Sequence, residues 1–179
     1  MTTFSKQLDC HMDVPVASYI EYIRNLSYER IGFFRGGNLW SEYTSFSKKQ
    51  VSMPIMSFLC RFELTIHNHP HEEEEWNKYY YYDLFLSLPS IQDLQLFSTN
   101  VTLKHIVCTK DRVTLTTLKR QLSYMELNTM YRIYMDILFS AKREDKWINN
   151  NFLTNKLKFL QYQYEMKKFG VSVKCLSKF

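Results

Sequence analysis

The chain is poor in glycine, proline and cysteine, with four of each among 179 residues. So few glycines and prolines leave no stretch with the make-up of a flexible linker. No internal repeat is visible either, so residues 1–179 read as a single domain, a length that suits one. Cys10, Cys60, Cys108 and Cys175 lie far apart and form no Cys-x-x-Cys pair, which excludes a sulfur-rich zinc site. A disulfide scaffold would be denser in a smaller chain, so the cysteines read as reduced thiols of a cytoplasmic protein. No apolar run reaches the length of about 18 residues that a membrane helix needs. The opening segment MTTFSKQLDCHMDV lacks the apolar core of a signal peptide. Concentrated charge is missing as well. The formal net charge is +5, but the basic residues are scattered and thicken only mildly at Lys156, Lys158, Lys167, Lys168, Lys174 and Lys178. They read as solvated helix faces, and nucleic acid is not the expected partner.

What the chain has is apolar patterning. Hydrophobic residues make up 45%, enough for a substantial core in a chain of this length. Residues 15–26 space Val16, Ile20, Ile23 and Leu26 as a short amphipathic helix with Pro15 near its start. Residues 30–37 read as a strand running into a glycine turn, and the alternating residues 41–47 as a second strand. Residues 52–58 are ambiguous. Residues 60–66 alternate and end at His67, while 71–88 show no clear period. Residues 101–108 and 112–118 read as two strands joined near Lys110-Asp111. His105, inside the first of these, reads as a packed or edge residue. From about 119 the pattern turns helical. Leu122, Met125, Leu127, Met130, Ile133, Ile137 and Leu138 sketch one apolar face, and Phe152, Leu153, Leu157, Leu160 and Tyr164 another. The class is therefore α/β, with helices packed on a sheet.

Three short elements carry chemistry. His67-Asn68-His69 sits at a strand end, and a period of two turns both imidazoles to one side, where they can share a metal ion. Pro70 then ends the strand. Pro89-Ser90-Ile91-Gln92-Asp93 reads as a helix start with Ser90 as N-cap and Asp93 completing a variant of the capping box, a rigid carboxylate in the first turn. Two histidines and one carboxylate leave a fourth zinc position open, as catalytic sites do. Glu29 precedes an apolar run, with Gly32 and Gly36 three and seven residues downstream, where backbones approach closely or the strand turns.

Together these elements resemble the JAMM/MPN metalloprotease family. The resemblance lies in Glu29-Arg30-Ile31-Gly32-Phe33-Phe34-Arg35-Gly36, then His67-Asn68-His69-Pro70, then Pro89-Ser90-Ile91-Gln92-Asp93-Leu94, in the family's order. The His-Asn-His-Pro form is also similar to the RadC-like branch. The resemblance implies an MPN-type mixed β-sheet flanked by helices, with extra C-terminal helices. It implies Zn2+ on His67, His69 and Asp93, Glu29 as general base and Ser90 as donor to the oxyanion. The implied activity is hydrolysis of an amide or isopeptide bond, with a ubiquitin-like tail as candidate substrate, bound by strand addition at a sheet edge. A homodimer or a partner MPN-like subunit is a further implication. The alternatives are a non-catalytic binding module of this fold and a RadC-like protein acting near DNA. One departure stands out. The family keeps a much shorter spacer before the serine, whereas twenty residues separate His69 from Ser90 here. An insertion over about 71–88 is cheap in closure entropy and would lie beside the site. It is read either as a lid or recognition element, with Trp76, Tyr79 and Tyr80 as candidate substrate contacts, or as an inert excursion. His71 and Glu72 to Glu75 are minor candidates as competing ligands.

Overall fold

The computed structural model describes residues 6–8, 14–44, 62–70, 87–90, 93–94, 104–145 and 152–177. Several expectations lie outside these residues: the second half of 41–47, the segment 52–58, and residues 71–86 with His71, Glu72 to Glu75, Trp76, Tyr79 and Tyr80. The elements are β1 (Lys6–Leu8), α1 (Val16–Ile23), β2 (Arg30–Arg35), β3 (Asn38–Thr44) and β4 (Leu64–Asn68). They continue as β5 (Lys104–Cys108), β6 (Val113–Leu118), α2 (Tyr124–Asp145), α3 (Phe152–Lys167) and β7 (Val171–Ser177). The sheet has seven strands in the order β1-β3-β2-β4-β5-β6-β7. Every neighbouring pair is antiparallel except β4–β5. A parallel pair needs a crossover between its strands, and the Ser90–Asp93 turn belongs to that crossover.

The mixed α/β class expected from the sequence is therefore observed, with apolar packing on both faces of the sheet. On one face Tyr19, Ile20 and Ile23 of α1 meet Phe34, Leu39, Ile66, Ile106, Cys108 and Val113. On the other, Leu118, Val171 and Val173 meet Leu127, Met130 and Ile137 of α2 and Phe159, Tyr162 and Met166 of α3. Leu88 and Leu94 join this second cluster, so the crossover turn is anchored to the helical side.

Two corrections concern the C-terminal third. The apolar face drawn for α3 is the wrong one. Leu157, Leu160 and Tyr164 are 56%, 49% and 65% exposed, while Phe159, Tyr162 and Met166 are buried. The helix is apolar on two sides, and β7 decides between them. That strand was not anticipated, and Gln163 Nε2 donates to Val173 O across the interface at 2.7 Å. In α2, Met125 is likewise exposed, at 79%.

The glycines act as expected. Gly36 and Gly37 hold φ of 59° and 76°, the left-handed pair that a two-residue β2–β3 turn requires. Gly32 admits the ring of Tyr19, and a Cβ there would lie 2.6 Å from the ring. That ring cannot swing aside freely, because Tyr19 Oη donates to Glu42 Oε1 at 2.9 Å and Arg30 Nη1 holds the same oxygen at 3.1 Å. Gly32→Ala is therefore expected to lose about 1–3 kcal/mol of stability through overpacking. Urea denaturation checks this, and an unchanged midpoint would show that the ring yields.

Candidate metal centre

The central sheet carries a polar row on its helical side. Directly paired residues share a face, and the register sets Thr65 beside His105, His105 beside Thr116, and His67 beside Val107. Thr65, His67, His105, Thr114 and Thr116 are all buried. Buried polar side chains in a sheet interior need partners, and here they face the crossover turn that brings in Asp93.

That turn is built by a reciprocal cap. Ser90 N–H donates to Asp93 Oδ2 at 2.6 Å, and Asp93 N–H donates to Ser90 Oγ at 3.2 Å. Leu94 N–H closes the first helical turn onto Ser90 O at 3.0 Å. The Ser-x-x-Asp motif thus folds as a capping box, as the sequence implied. The segment is pinned from behind by a buried contact of 2.8 Å between the hydroxyls of Ser87 and Thr114. On the strand side, His69 N–H bonds Cys108 O at 2.9 Å, which keeps its backbone on the β5 ladder just past β4.

The predicted ligand residues converge. His67 Nε2 lies 2.8 Å from His69 Nε2 and 3.4 Å from Asp93 Oδ2, and His69 Nε2 lies 3.9 Å from the same oxygen. These separations bracket the roughly 3.3 Å that tetrahedral ligands about 2.0 Å from one zinc keep between them. At 2.8 Å the two ring nitrogens are at hydrogen-bond distance, one ring donating and the other accepting. His67 Nδ1 is buried with no hydrogen-bond partner among the described residues, so the polar interactions of that ring run through Nε2. Residues around His67 could hold a metal ion. Two overlapping groups offer ligand atoms within 4.8 Å of one another, Glu29-His67-His69 and His67-Asp93-His105.

Glu29 precedes β2, and its Oε1 stands 4.0 Å from His67 Nε2. Burial pushes its carboxyl up to about 7, with His67 pulling it down and Asp93 pushing it further up. Burial acts against a charged His67, yet Asp93 and then Glu29 raise its pKa. Burial alone would raise Asp93, but the charge and hydrogen bond of His67, with His105 and His69, hold it well below the usual carboxylate range. Asp93 is thus an anion at neutral pH, as a ligand must be.

His105 adds to the sequence reading. It is packed in the strand, as expected, but its Nε2 lies 3.9 Å from Asp93 Oδ1, and its ring centroid is 4.7 Å from that of His67. Its Nδ1 is in hydrogen-bond contact with Thr65 Oγ1. Burial, reinforced by His67, brings its pKa down to about 3, so it is neutral. The signal available was an imidazole inside the apolar run of a strand covered on both faces, where a polar side chain needs a specific partner. The structure therefore brings together Glu29, His67, His69, Ser90 and Asp93 and adds His105, while Trp76, Tyr79 and Tyr80 lie outside the described residues. Comparison of the chain with family models, with curated proteins and with solved structures found no match in any of the three.

Proposed function

We propose that the chain is a zinc-dependent hydrolase of the JAMM type that cleaves an amide or isopeptide bond. The observation that carries this reading is the close grouping of His67 Nε2, His69 Nε2 and Asp93 Oδ2, 2.8 to 3.9 Å apart, with Glu29 Oε1 4.0 Å from His67 Nε2. Two imidazoles and one carboxylate are the donor set of an open, catalytic zinc site. When bound, zinc supplies Lewis-acid polarisation and lowers the pKa of a coordinated water from roughly 15.7 to about 7.

The protein's own groups divide the remaining work. Glu29 Oε1 accepts the water proton and returns it to the leaving nitrogen, a role suited to a carboxyl brought near the working pH. Ser90 Oγ accepts from the Asp93 N–H, so its own proton remains for donation to a developing oxyanion. His67 projects from the α2–α3 side of a mixed sheet with helices on both faces, and Asp93 meets it from the crossover turn, which supports an MPN-type fold as part of the same reading. The edge strands β1 and β7 are separated from the β4–β5 pair by other strands. A tail held by strand addition at either edge would therefore have to extend past the added strand to reach this centre.

Metal analysis of the purified chain is the test. One zinc per chain is expected, and intact histidines that hold no divalent ion overturn the reading. Two variants then assign the ligands. His105→Leu, which removes a neutral ring 3.9 Å from Asp93 Oδ1, is expected to weaken zinc binding, and His69→Ala is expected to weaken it more. Unchanged affinity in His69→Ala with lost binding in His105→Leu would transfer the site to His67, Asp93 and His105.

A further inference from the structure

Asn68, between the two histidines, points the other way. By strand alternation its side chain leaves the sheet on the α1 side, and it is 1% exposed. The β2–β4 ladder runs from Phe34↔Leu64 to Ile31↔His67 and ends there. Beyond that pair the Asn68 carboxamide takes over from the backbone. Its Oδ1 accepts from Arg30 N–H at 2.8 Å, and its Nδ2 donates to Tyr28 O at 3.0 Å. These two groups flank Glu29. A third bond closes on Glu29 itself, from Thr44 Oγ1 to Glu29 O at 3.0 Å.

A carboxamide offers a carbonyl acceptor and an N–H donor in one plane, the same groups a peptide unit offers, and only Asn and Gln side chains carry one. We infer that Asn68 is a positioning residue that fixes Glu29 at the metal centre by bracketing its backbone, so that one tripeptide sets both the ligands and the general base. The inference rests on the function proposed above. It explains why a residue just before β2, with no ladder of its own at that point, holds a carboxylate 4.0 Å from His67 Nε2. A group 1 Å out of place forfeits much of the benefit of orientation.

The test has two arms on the full chain. In the first, amide hydrogen exchange is followed without metal. Asn68→Leu, close in size, is expected to speed exchange at Arg30 about tenfold or more while Phe33 stays protected. In the second, Co2+ replaces zinc and the visible spectrum reports the surroundings of the ion. Glu29→Gln is expected to alter the spectrum at full Co2+ stoichiometry. Asn68→Leu is expected to reproduce that alteration, and the double variant to add nothing further. Thr44→Val, which removes the third bond without touching the ligand strand, is expected to shift the spectrum in the same direction. Unchanged Arg30 exchange in Asn68→Leu overturns the bracket. An unchanged spectrum in both Asn68→Leu and Thr44→Val overturns the positioning role. A parent chain that takes up no Co2+ sinks the metal reading and the positioning role with it, while the exchange arm still reports the bracket separately.

Discussion

Glu29→Gln protein is expected to bind as much zinc as the parent and to hydrolyse amides about 10²–10⁴-fold more slowly, the usual worth of a positioned general base. The substitution keeps shape and leaves the backbone bonds around residue 29 intact, because those involve Tyr28 O, Glu29 O and Arg30 N–H. It removes only the group that can take up and return a proton. Burial is the main reason that group holds its proton up to about 7, and a dication beside it would favour the anion. Zinc stoichiometry and turnover of a fluorogenic C-terminal amide on a ubiquitin-like tail are measured together, because each excludes a different error. Loss of zinc in Glu29→Gln would make Glu29 a ligand, with His67 and His69 as its companions. Full zinc with full turnover would place the base elsewhere.

The parts of this site legible in the sequence are those fixed by local geometry. A period of two put His67 and His69 on one side, and a serine three residues before an aspartate set a capping box, whatever the remainder of the chain did. The glycines at 32, 36 and 37 were readable for the same reason, since a close approach and a left-handed turn leave few other residues. His105 could not be read this way. Its place beside Thr65 depends on the parallel β4–β5 pairing, made across the crossover between Asn68 and Lys104. Asn68 was passed over because its partners lie 38 and 40 residues earlier. The α3 face and β7 failed together. Gly170, at φ 76°, followed by the alternating Val171, Val173 and Cys175, was a legible helix stop and strand start. Once β7 is in place, the side of α3 carrying Phe159, Tyr162 and Met166 is the one it covers.

Zinc is expected to raise the thermal midpoint of the parent chain and to leave that of Asp93→Ala unmoved. A ligand at about 100 times its dissociation constant adds about 2.7 kcal/mol, which for a domain of this size is about 5–10 °C. Asp93 needs a control, because it does two things. Besides facing His67 and His69, Oδ2 accepts from Ser90 N–H at 2.6 Å, and losing such a cap costs about 1 kcal/mol by itself. Asp93→Asn keeps an acceptor for that N–H and removes the charge that draws a dication. The two variants therefore separate the roles. Both are expected to lose the zinc-dependent rise, whereas only Asp93→Ala is expected to start from a lower midpoint without metal. Differential scanning calorimetry with and without chelator measures all four quantities. A rise of parental size in Asp93→Asn would mean that the histidines hold the ion unaided, and the close grouping of the three ligand atoms would then be a property of packing alone.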